Sequence, residues 1–143
     1  MSQRDKVLSC FETIIEKVLE FKASGDFEGA VVFLFQEEKA ILVPPSYLPS
    51  DKAELVGFVR GLSDYTEARY VVFACEAWVS QTPGAPPSEQ EDRTEALIIT
   101  VDGPDLNRMV TVPLLPDGGF GERFQTNDYG GLFSNLSGNA GIN

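Results

Sequence analysis

Histidine is missing from the 143-residue chain. Its absence removes Ser-His-Asp and Cys-His catalysis, histidine proton shuttles and histidine metal ligands. Cysteine is scarce: Cys10 and Cys75 are the whole supply, with no C-x-x-C spacing. Both fall in apolar segments, so they are expected as reduced core residues of a cytoplasmic protein. Lysine stops at Lys52, and 11 basic residues stand against 22 acidic ones, a net charge of −11. The imbalance grows along the chain: residues 1–70 hold 8 basic and 12 acidic groups, net −4, and residues 71–143 hold 3 and 10, net −7. Such a surface repels phosphate backbones and anionic lipid, so direct nucleic-acid and membrane binding are not expected, whereas solubility or a basic partner surface is favoured. No apolar run is long enough to span a bilayer, and the start MSQRDKVLSC holds no apolar signal core. There is no Walker A sequence and no GxGxxG after a strand; PDGGFG reads as a turn. No cofactor is expected.

What is present is a one-domain composition. Val7, Leu8, Phe11, Ile14, Ile15, Val18 and Leu19 recur at three- and four-residue steps, which predicts a helix with one apolar face. Ser2 with Asp5 marks its start and Gly25 its end. Ala30–Phe35 and Ala40–Val43 flank Gln36–Lys39 and predict a β-hairpin. Ser50 is the expected N-cap of a second helix, whose stripe is Leu55, Val56, Phe58, Val59 and Leu62. Gly57 and Gly61 either weaken that helix or permit close packing. Three more strands follow, over Tyr70–Ser80, Thr94–Val101 and Arg108–Leu115, the last placed at an edge because of Pro113. Residues 81–93 between them form a long Pro-rich loop. The order α-β-β-α-β-β-β predicts an α+β domain over residues 1–125, with both helices on one face of a largely antiparallel five-stranded sheet. Residues 126–143, rich in Gly, Asn and Ser, are expected as a C-terminal tail. Strands one and three are apolar on both faces, so a partner or a second copy is expected over the second face.

The stretch YVVFACEAWVS, Tyr70–Ser80, carries the sharpest chemical candidate. Its odd positions Val71, Phe73, Cys75, Ala77 and Val79 are uniformly apolar. Its even positions place Glu76 with Tyr70 and Trp78 on the other face. A covered face demands a cation for that carboxylate, and Arg93 and Arg108 are the expected partners. Glu76, Trp78, Arg93, Glu95 and Tyr70 are therefore the candidate binding residues. Glu89, Glu91, Asp92, Glu95 and Asp102 with Glu76 offer oxygen ligands, but no D-x-D-x-D-G spacing occurs, so no metal site is expected.

Glu76-Ala77-Trp78, Pro87-Ser88, Asp92-Arg93-x-Glu95 and the strand ALIITV resemble a group of short uncharacterised proteins of bacterial and phage genomes. The resemblance spans roughly residues 70–101. It implies one structural unit in which the loop returns Arg93 and Glu95 beside Glu76, and it implies a phage or prophage setting. The expected function is that of a small acidic cytoplasmic binding protein, in that setting an accessory or anti-defence inhibitor acting on a host protein. The alternatives are a small-ligand-binding protein or metal-dependent hydrolase centred on Glu76, or a phage structural component.

Overall fold

In a computed structural model the chain is described over residues 2–27, 30–37, 39–49, 51–79 and 94–127. Helix α1 spans Gln3–Ser24. The Ser2 hydroxyl accepts from the Asp5 N–H, and Gly25 closes the helix in the left-handed conformation at φ 83°, a geometry that favours glycine. Strands β1 (Ala30–Phe35) and β2 (Ala40–Val43) form the expected hairpin, with the Gln36 N–H donating to the Lys39 carbonyl. A 3₁₀ turn over Pro45–Tyr47 leads to α2, Lys52–Thr66. Its cap is Asp51 rather than Ser50: Asp51 Oδ1 accepts from the Glu54 N–H. Then come β3 (Tyr70–Val79), β4 (Thr94–Gly103), β5 (Leu106–Pro113) and β6 (Phe124–Asn127).

The class is α+β, as expected, but the sheet has six strands, ordered β2-β1-β3-β4-β5-β6 and antiparallel throughout. The added strand, β6, carries no apolar alternation of its own. Pairing with residues 108–111 of β5 makes it a strand, and it runs across residue 125, where the domain was expected to end. It also takes β5 away from the edge. Pro113 is tolerated there because it ends β5, beyond the residues that β6 pairs.

The expectation of two helices on one face does not hold; they lie on opposite faces. Val7, Phe11, Ile15 and Val18 of α1 pack with Tyr70, Val72 and Ala74, the even side of β3, and with Leu97, Ile99 and Val110. Leu55, Val56 and Val59 of α2 pack with Val71, Phe73 and Cys75, the odd side. The physical reason is the two-sided apolarity of β1 and β3. Both faces need cover, and a helix that crosses from β2 to β3 over β1 already occupies one of them. Most of the second face is thus covered from within the chain.

Candidate functional site

The alternation along β3 decides where each candidate side chain goes. Glu76 lies on the α1 face, and its carboxylate receives the Lys22 ammonium at 2.5 Å. Lys22 sits in the last turn of α1, where a cation also complements the carbonyl end of the helix. Among the described residues the partner of Glu76 is therefore a lysine of the covering helix. Arg108 stands opposite Val101, whereas Glu76 stands opposite Leu97, so four residues of strand separate the two register positions. Both members of the Lys22–Glu76 pair are about one-third exposed, at 33% and 39%.

The β3–β4 register sets Trp78 opposite Glu95, two residues beyond the Glu76–Leu97 pair and on the same face. Glu76, Trp78 and Glu95 thus share one end of that face by backbone position. The Trp78 side chain and the whole of Arg93 lie outside the described residues, as does the loop over residues 81–93. Tyr70 is on the same face at the far end of the strand and is buried. Its hydroxyl donates to Asp105 Oδ1 at 2.5 Å. Burial, then this bond to a carboxylate, raise its pKa above the ordinary value of 10.0. Asp102 is buried opposite Val71 on the α2 face, so it cannot share a ligand with Glu76. Among the described residues no three His, Cys, Asp or Glu side chains gather to hold a metal. Glu89, Glu91 and Asp92 lie outside them.

A sizeable groove lies elsewhere. On the α1 face, among the described residues, the helix covers β3, β4 and β5, covers β1 only in part, with Phe35 buried and Val31 and Phe33 half-buried, and leaves Leu42 of β2 exposed. The result is a groove of about 720 Å³ between the flank of α1 and the hairpin. Val31, Phe33 and Phe35 of β1, with Leu42 of β2, form its floor, and the rings of Phe33 and Phe35 lie 6.5 Å apart. Ser9, Cys10, Thr13, Lys17 and Phe21 of α1 form its wall. Leu42 and Phe21 are large apolar side chains left 53% and 47% exposed. The volume is that of a ligand pocket, but its lining carries few polar groups that would orient a small molecule.

Cys10 is a thiol exposed at this groove, contrary to the expectation that both cysteines are core residues; Cys75 is in no disulfide and is buried as expected. Sequence reasoning missed the groove because its residues come from three separate segments. The available signals were the second apolar face of the first hairpin and the small residues Ser9, Cys10 and Thr13 beside the stripe of α1. Lys22 as the counter-charge to Glu76 left no signal, since 54 residues separate them. Among the described residues no helix is long and apolar enough to cross a membrane.

No family model, no curated protein and no solved structure matches the chain.

Proposed function

We propose that this chain is an acidic interaction module that docks a protein partner, apolar where it enters the groove and basic around it, through the surface between α1 and the β1–β2 hairpin. The observation that carries this reading is the hairpin end of one sheet face, which α1 leaves only partly covered among the described residues, with Leu42 and Phe21 about half exposed at its borders. A contiguous apolar surface of that kind marks an interaction site more often than a neutral surface. The net charge of −11 sets the sign of the partner: it steers a basic protein in and holds nucleic acid away. The groove supports a binding role better than Glu76 does, because the Glu76 carboxylate is engaged by Lys22. In the phage setting that the E-A-W resemblance implies, the partner is a host protein and docking blocks it.

The test is comparative capture. Tagged wild-type protein and its Leu42→Asp variant are used as baits in the same lysate. Leu42 is exposed enough for the variant to keep its thermal stability. A basic protein retained by the wild type and lost by Leu42→Asp supports the proposal. Equal retention by both baits refutes it.

A further inference from the structure

The groove has the dimensions and lining of a missing helix, and we infer that its occupant is a single amphipathic helix of the partner, with a basic outer face, lying alongside α1. This rests on the groove being the docking surface, and it goes further by fixing the shape and charge of what docks.

Width comes first. Adjacent strands are about 4.8 Å apart, so exposed β2 with half-covered β1 offers about 10 Å, the diameter of one α-helix with side chains. The wall of α1 runs from Ser9 to Phe21. At 1.5 Å per residue that is about 18 Å, room for roughly 12 residues of a neighbouring helix. The floor then fits the period. Alternate residues Phe33 and Phe35 recur about every 6.7 Å along β1, while residues i and i+4 of a helix rise about 6 Å. Apolar anchors at i, i+4 and i+7 therefore meet the floor residues in turn.

The wall favours a helix as well. Ser9, Cys10 and Thr13 are small, and the Thr13 hydroxyl donates back to the Ser9 carbonyl rather than outward. A second helix can then approach α1 at the short end of the usual 8–10 Å interaxial range. Charge decides between partners. The one cation of the wall, Lys17, is held by Glu20 at 3.1 Å, and Asp26 lines the groove end. A second copy of this chain would bring another net −11 against the first. A helix with Lys or Arg on its outer face meets the opposite sign.

The test uses model peptides on the full chain. Three 14-residue peptides are compared. One has a leucine stripe at i, i+3, i+4, i+7 and i+11 with Lys and Arg on the other face; one has the same stripe with Glu; one has the basic composition rearranged to alternate with period two. The readouts are the rate of thiol modification at Cys10 and amide shifts over residues 9–21 and 30–42. The basic helical peptide is expected to slow Cys10 modification at least tenfold at saturation. It should bind at least tenfold more tightly than the acidic one, weaken as salt rises, and lose binding in Leu42→Asp. Equal or tighter binding by the period-two or acidic peptide overturns the inference. So does Leu42-dependent self-association in sedimentation velocity, or protection of Cys10 by laurate but not by the basic helical peptide. If a lysate partner is lost in Leu42→Asp but is not displaced by the basic helical peptide, the helix inference falls and the docking surface stands. If capture is unaffected by Leu42→Asp and no peptide protects Cys10, both fall.

Discussion

Replacing Gly103 with alanine tests how β3 and β4 are locked at the end away from Glu76. A Cβ at Gly103 would lie 2.6 Å from Tyr70 Cε1, closer still to Cδ1, and 3.0 Å from the Arg69 carbonyl oxygen. The Tyr70 ring is only 2% exposed and tethered through its hydroxyl to Asp105, so it cannot swing aside freely. Overfilling a packed core costs about 1–3 kcal/mol. Loss of the Tyr70–Asp105 bond adds about 1 kcal/mol. The smaller freedom of alanine in the unfolded chain offsets about 0.4–1 kcal/mol. The expected net loss for Gly103→Ala is about 1–3.5 kcal/mol. In urea denaturation, with a slope of about 2 kcal/mol per M, the midpoint should fall by roughly 0.5–2 M. The clash is with the ring, so Tyr70→Val should absorb most of it: Gly103→Ala in that background should cost under about 1 kcal/mol. A neutral Gly103→Ala, or the same cost in both backgrounds, would refute the reasoning.

Three further outcomes follow from the same geometry. Glu76→Gln removes the negative charge that the Lys22 ammonium meets at 2.5 Å, but both groups are about one-third exposed, so stability should fall by only about 0.2–1 kcal/mol, less in high salt, as thermal melts at two ionic strengths will show. Gly57 and Gly61 have nothing within 4 Å of an added Cβ, so each alanine should stabilise α2 by about 0.5–1 kcal/mol in the same urea assay, and a loss would place an unseen neighbour there. The raised pKa of Tyr70 means that the unfolded chain releases its phenolic proton first. Its stabilising contribution is therefore full below about pH 10 and lost as pH rises through the folded value, and Tyr70→Phe should flatten that alkaline decline in pH-dependent melts.

The side-chain period of two on β3 was legible from sequence down to which residues share a face. Val71, Phe73 and Cys75 form one core cluster, and Tyr70, Val72 and Ala74 the other. The α1 stripe and both of its caps were legible for the same reason: they are local. What failed was non-local. Apolar strands on both faces ask for two covers, but their residues do not say which helix supplies each. That follows from the α2 crossover occupying one side and leaving the other to α1. β6 was illegible because Phe124–Asn127 has no pattern of its own and is a strand only through β5. Asp51 is the cap, one residue after the expected Ser50, because adjacent Ser and Asp are equally suited and their residue types do not separate them. Of the candidate site, the shared face of Glu76 and Trp78 was visible in strand alternation, whereas the register that sets Glu95 opposite Trp78 and the groove required the tertiary fold.

The most direct measurement of the docking claim uses the one exposed cysteine. A photo-crosslinker attached at Cys10 sits in the groove, while buried Cys75 stays unlabelled in the native protein. Irradiation in lysate should yield a discrete adduct with a basic protein, cross-linked through a helical segment, and Leu42→Asp should abolish that adduct. An adduct that persists unchanged in Leu42→Asp, or the absence of any adduct beside undiminished partner capture, would contradict the account.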